Sequence, residues 1–187
     1  MKHHIHLMII LIASSIGCQT RIPVFNGNAA FTHLVAQCDF GPRNPGSVGH
    51  QKALDYFLNV LTTLADTVST QSFTEIMPRS KQKVEMHNII AQFNPKAKKQ
   101  IMISAHWDTR PWGDRSLGIM RKDQPILGAN DGASGVAILL ELAKVLHDNP
   151  QKIGVNLVLF DAEDFGSSGD SWSYCKGSQY FAKNLPI

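Results

Sequence analysis

An α/β domain with a mixed central sheet flanked by helices is the fold this sequence predicts. Three observations lead there. Apolar residues recur at helical spacing in three separated stretches, strand-like runs lie between them, and one of those runs, Val155 to Phe160, is hydrophobic almost without a break. Such a run marks a strand covered on both faces, the position of a central strand in a sheet flanked by helices. At 187 residues, 43% hydrophobic and 18% charged, the chain has the apolar material of one ordinary core. No internal repeat or linker divides it.

Taken in order, residues 1–18 stand apart from the domain. Lys2 opens a short basic, histidine-rich start, and Leu7 to Ile12 form an apolar run too short for a comfortable membrane span. Small residues follow, then Gly17-Cys18. Two readings compete: an ordinary secretory signal, and a bacterial lipoprotein signal cleaved before a lipidated Cys18, with Ser15 where that pattern prefers leucine. Gln19 after the cysteine, rather than aspartate, suits sorting to an outer membrane. Either reading puts residues 19–187 in an extracytoplasmic, oxidising space, the periplasm or outer membrane. There Cys38 and Cys175 are either a disulfide or two buried thiols.

Helices are expected over Ala29 to Cys38 and Gln51 to Leu64, the second lined by Leu54, Phe57, Leu58, Leu61 and Leu64. A Gly/Pro-rich loop, Gly41 to Gly49, separates them. Val84 to Phe93 and Gln100 to Ala105 read as strands, joined through the turn Asn94-Pro95-Lys96 into an expected hairpin. The stretch from Gly113 to Gly128 lacks periodicity and reads as a long loop. Gly135 to His147 is a helix with Val136, Leu139, Leu140, Ala143 and Leu146 on its apolar side, ended by Asn149-Pro150. The net charge of +3 rests partly on Lys96, Lys98 and Lys99, in a turn rather than on a basic face. The chain has no nucleic-acid footprint.

Three short acidic motifs carry the chemistry: His106-Trp107-Asp108, Asn130-Asp131-Gly132 and Glu163-Asp164. His106, Asp108, Glu163 and Asp164 each follow a buried strand, and ligands in open α/β sheets gather beyond the carboxyl ends of the strands. Asp131 opens the helix after the long loop, where it either caps free backbone N–H groups or faces the same rim. Adjacent carboxylates after an apolar strand repel one another and call for a compensating cation or proton. Carboxylate and imidazole donors suit zinc. Two neighbouring carboxylates do not easily face one ion, so one coordinates while the other moves protons.

The strings Arg43-Asn44-Pro45-Gly46-Ser47-Val48-Gly49, Asn88-Ile89-Ile90-Ala91, Asn94-Pro95-Lys96-Ala97-Lys98, His106-Trp107-Asp108, Gly128-Ala129-Asn130-Asp131, Phe160-Asp161-Ala162-Glu163-Asp164 and Gly177-Ser178-Gln179-Tyr180-Phe181-Ala182 resemble the glutaminyl-peptide cyclotransferases of the M28 zinc aminopeptidase-like group, especially its animal-like bacterial members. The resemblance covers nearly everything after the signal-like segment. It implies the zinc aminopeptidase-like (phosphorylase/hydrolase-like) architecture, with Asp131 and Asp164 as acidic zinc ligands and Glu163 as general acid/base. The implied reaction cyclises the N-terminal glutamine of a peptide or protein to pyroglutamate and releases ammonia. The alternative is a di-zinc M28 aminopeptidase, in which His106 holds a second ion sharing Asp131. An inactive, lipid-anchored remnant is a third.

The sequence departs from the family at three places. Aspartate at position 164 replaces the glutamate of the animal enzymes and is one methylene shorter. Trp172 is out of register with the family's pocket tryptophan, so packing is its expected role. The family's histidine zinc ligand lies in a later segment absent here, and His33, His50, His87 and His147 are expected to lie remote from the rim. Residues 19–187 therefore read as a partial domain with its C-terminal part missing, binding zinc weakly and turning over little.

Overall fold

The computed structural model describes residues 22–77, 79–113, 124–167 and 169–186. The signal-like segment and much of the expected loop over 113–128 lie outside them. Helix α1, Gly27–Asp39, opens on Asn26, whose side chain accepts the N–H groups of Asn28 and Ala29. Helix α2, Val48–Leu64, opens on Ser47, which accepts from the His50 N–H. Helix α3, Ser134–Asp148, ends at Asn149 before Pro150, and its expected apolar side, Val136 through Leu146, is buried. A short helix, α4, covers Lys176–Lys183.

Four strands, β1 (Thr67–Ile76), β2 (Lys83–Phe93), β3 (Gln100–His106) and β4 (Gly154–Phe160), form one sheet in the order β1-β2-β4-β3. The expected hairpin of β2 with β3 is not formed, because β4 lies between them. Strand β2 pairs antiparallel with β4 from Ile89↔Leu159 to Phe93↔Val155, and β3 pairs parallel with it from Gln100↔Gly154 to His106↔Phe160. Residues 94–99 cross two strand spacings, about 10 Å, which a tight hairpin turn cannot span. The Gly154 N–H donates to the Lys99 carbonyl at 2.8 Å and seats the start of β4 under this connection. The strand that pairs with β2 as its neighbour along the chain is instead β1, antiparallel and in register from Thr67↔Gln92 to Ile76↔Lys83.

The core lies mainly on one sheet face. Phe57 and Leu61 of α2 and Leu139, Leu140 and Ala143 of α3 pack there on Ile89, Ala91, Leu157 and Leu159. Helix α1 packs against α3, and its entry is tied there by Asn26 N–H donating to Glu141 Oε1 at 3.0 Å. On the opposite face, Phe181 of α4 meets Ile90 and Val158, while Phe73, Met86, Ala162 and Phe165 form a second cluster at the strand ends. Strand β4 is buried on both faces, as its nearly continuous hydrophobicity predicts. Strand β3 is an edge, with Ile101, Met102 and Ile103 exposed. Because β3 and β4 run parallel, both deliver their carboxyl ends to one rim of the sheet.

Candidate active site

His106 is the last residue of β3, and residues 161–164 form the turn after β4, with Ala162 in the left-handed region (φ 56°). Asp131 does not open a helix. It lies in a kinked turn, Ala129–Ala133, with extended backbone (φ −91°, ψ 106°), and α3 starts after it without a side-chain cap. Gly132 follows with φ 92°, and a Cβ there would sit 2.9 Å from the Asp108 carbonyl and 3.3 Å from the His106 ring. Only glycine lets the turn approach the strand ends so closely. The outcome is that His106 Nε2 donates to Asp131 Oδ1 at 3.0 Å, the imidazole being 20% exposed and the carboxylate 73%.

The adjacent carboxylates are held by a third. Asp108, fully buried, accepts the N–H of Glu163 on Oδ1 at 2.9 Å and that of Asp164 on Oδ2 at 3.1 Å. With the backbone so clamped, the side chains diverge. Asp164 Oδ1 takes Nη1 of Arg110 at 3.0 Å, and Nη2 of Arg110 donates to the Tyr174 hydroxyl at 2.7 Å. Glu163 turns the other way, with Oε2 3.9 Å from His106 Nδ1 and Oε1 accepting from Cys175 Sγ at 3.6 Å. His106 Nδ1 also lies 3.5 Å from Asp108 Oδ1, a long contact that draws the imidazole toward the buried carboxylate.

Charge at this rim is strongly unbalanced. Burial raises the Asp164 carboxyl, Arg110 pulls it down, and Asp108, Asp131 and Glu163 push it up again, to about 6. Burial works against a charged His106, but Asp108, Glu163 and Asp131 outweigh it and lift the imidazole to about 9.

Behind the rim lies a buried polar layer whose roles the motifs do not announce. His50 is not remote. Its Nε2 donates to both oxygens of Asp161, at 3.1 and 2.9 Å, and its ring stacks on Trp107 at 4.3 Å. The backbone N–H of His87 reaches the same carboxylate at 2.7 Å. Arg43, fully buried, donates to the carbonyls of Gln37, Trp107, Leu127 and Gly128 at 3.0 to 3.2 Å, tying α1, the end of β3 and the approach to Asp131 together. An arginine inside the run Gly41-Pro42-Arg43-Asn44-Pro45 was the available signal: five donors meet the free carbonyls of loops. Trp172, expected to pack, is 78% exposed. Cys38 and Cys175 are both free thiols. A cleft of about 650 Å³ between Asn44–Gln51 and Met77–His87 lies beside His50, and neither Asp131, Glu163 nor Asp164 lines it.

Carboxylate and imidazole donors and a surplus of negative charge suit a divalent cation. Among the described residues, however, no three His, Cys, Asp or Glu side chains are arranged to hold one. His106 is engaged by Asp131 and Asp164 by Arg110.

The sequence profile described as Peptidase family M28 matches residues 88–186, more than half of the chain and the whole segment that carries His106, Asp131, Glu163 and Asp164. The chain belongs to peptidase family M28. Its sheet is the mixed α/β arrangement of M28 structures: a glutaminyl cyclase of Bacteroides thetaiotaomicron, bound to N-acetylhistamine, superposes with a TM-score of 0.83 at 34% identity, over 89% of this chain and 59% of that one. A leucine aminopeptidase precursor from the same species gives the same values. The glutaminyl-peptide cyclotransferase of Drosophila melanogaster is 32% identical over 149 residues, 77% of this chain and 38% of the relative. The chain thus spans well under two thirds of the M28 proteins it matches.

Proposed function

We propose that this chain carries the chemistry of a zinc-dependent glutaminyl-peptide cyclotransferase, with a peptide or protein bearing an N-terminal glutamine as substrate. The divergence of Glu163 from Asp164 carries this reading. Asp108 fixes both backbones, Arg110 takes one carboxylate, and the other is left 41% exposed toward His106. Separated in this way, Glu163 is free to carry a proton, and Asp164 would hold an ion only once Arg110 releases it. Asp131 and Asp164 would hold the zinc, with His106 as the neighbouring third donor. When bound, the ion supplies a Lewis acid that polarises the side-chain amide carbonyl of the glutamine.

Glu163 accepts a proton from the α-amine as the amine nitrogen bonds to the amide carbon. It returns the proton to the amide nitrogen as that C–N bond breaks, and ammonia leaves. His106, drawn to Asp131, keeps that carboxylate aimed at the rim. Because the described donors do not close around one point, weak zinc binding and slow turnover are part of the proposal. We further read residues 1–18 as a signal ending at a lipidated Cys18, which leaves residues 19–187 as an anchored, extracytoplasmic domain. No helix among the described residues is long and apolar enough to cross a membrane.

A second reading, an M28 aminopeptidase, is favoured by the equal likeness to a leucine aminopeptidase precursor and by the imidazole standing against Asp131. The test is product analysis with zinc present. Ammonia from a Gln-initiated dipeptide, lost in Glu163→Gln, supports cyclisation, whereas free leucine from a Leu-initiated dipeptide without ammonia overturns it. Release of neither product favours an inactive remnant.

A further inference from the structure

Three consecutive N–H groups at the start of α4, from Cys175, Lys176 and Gly177, donate to three consecutive carbonyls of the acidic turn, those of Glu163, Ala162 and Asp161, at 2.9, 2.9 and 3.0 Å. Groups that a helix start leaves unpaired thus fasten the turn after β4. The match needs Ala162 and Cys175 both in the left-handed region, at φ 56° and 55°, a conformation that non-glycine residues adopt at an energetic cost. It also needs Gly177, where a Cβ would lie 2.2 Å from the Asp161 carbonyl oxygen and 2.4 Å from Asn88 Oδ1. This clasp sets the Cys175 side chain beside Glu163, with Sγ 3.6 Å from Oε1. A carboxylate only accepts, so the thiol donates.

We propose that Cys175 is a positioning residue for Glu163: its S–H holds Oε1, and Oε2 alone is presented toward His106. The inference rests on the reading of Glu163 as the proton carrier. Burial raises the Cys175 pKa, and the facing carboxylates of Glu163, Asp108 and Asp164 raise it further, which keeps the thiol protonated and able to donate. Neither the reaction proposed above nor a metal makes any other use of this cysteine.

Two measurements test it. With Cys18 and Cys38 replaced by serine, Cys175 is the sole thiol of the chain. Its alkylation by iodoacetamide, followed by mass spectrometry at pH 8, is expected to speed up about threefold or more in Glu163→Gln, because loss of the carboxylate frees the thiolate. An unchanged rate overturns the contact. In ammonia-release assays Cys175→Ser, which keeps a donor, should hold kcat within about twofold, whereas Cys175→Ala should lower it about fivefold with KM unchanged. Wild-type kcat in Cys175→Ala overturns the proposal, and thermal unfolding of both variants separates positioning from simple destabilisation. If the unmutated chain releases no ammonia, the cyclase reading fails, and the alkylation rates alone decide whether Cys175 holds Glu163.

Discussion

Replacing Asp108 by asparagine is the most direct probe of how the rim is built. The carboxylate has one oxygen for the Glu163 N–H and one for the Asp164 N–H, and no water reaches it. The carboxamide keeps one acceptor and points its NH2 group at the other N–H. The loss is one charge-assisted hydrogen bond of about 1.5–3 kcal/mol plus one buried unmatched donor of about 1–3 kcal/mol. Against this, Asp108 pushes the Asp164 carboxyl up, so removing its charge returns part of the loss. A net destabilisation of about 2–4 kcal/mol follows. Urea unfolding of the metal-free protein should show a lower midpoint with an unchanged slope. Zinc affinity should fall about tenfold or more, the usual effect of losing a group that supports ligands. An unfolding midpoint equal to that of the unmutated chain would refute the clamp, because no zinc ion is present in that experiment to mask its loss.

Three further outcomes are expected. Gly177→Ala forces a methyl group into the Asp161 carbonyl, and should destabilise by about 3 kcal/mol or more while exposing the 161–164 amides to hydrogen exchange. Arg43→Lys replaces a planar five-donor fork by a compact ammonium and should cost about 2–4 kcal/mol in thermal unfolding, with faster exchange over 127–132; retention of the unmutated melting temperature would contradict the stitching role. The metal-free protein should lose stability as pH rises. Asp164 (ordinarily 3.8, here about 6) and His106 (ordinarily 6.5, here about 9) both bind protons more tightly when folded, so the stability they contribute is complete below the ordinary values and is lost through the raised ones. Screening at the exposed Asp131 limits the His106 share to about 1–2 kcal/mol between pH 6.5 and 9.5. Urea midpoints in EDTA that stay level from pH 5 to 9.5 would sink this account.

The parts of the fold legible in the sequence are those written in side chains. Helix α3 shows its face through Val136, Leu139, Leu140, Ala143 and Leu146, and β4 shows its double burial through a nearly continuous apolar run. Strand β1 does not, because only Phe73 of its ten residues is buried and Ser, Thr, Gln and Glu fill most of the rest. The pairing of β2 with β3 was misread because adjacency along the chain suggested it. Nothing local to residues 84–105 announces a strand that arrives some fifty residues later. At the site, His106 and Asp131 meet and Glu163 stands beside them; His106 ends and Glu163 follows a strand whose direction was readable, whereas Asp131 comes from the kinked turn before α3. The polar layer behind them was not, because Asp108, Arg43 and Asp161 are occupied largely with backbone N–H and C=O groups, which carry no signature of their own. His50 is expected remote from the rim, yet the first turn of α2 points it under the acidic turn.

The placement of β4 between two strands made long before it has a consequence for how the molecule comes into being. During synthesis β1 and β2 can pair as soon as both have emerged, but β3 finds no partner until residues 154–160 follow. Until then β2 and β3 each present an open edge, and the apolar side of α3 has only part of a sheet to rest on. The strand that joins the two halves also brings Glu163 and Asp164 within reach of His106 and Arg110. Completion of the sheet and assembly of the acidic rim are therefore one event, and a chain interrupted before that strand has neither.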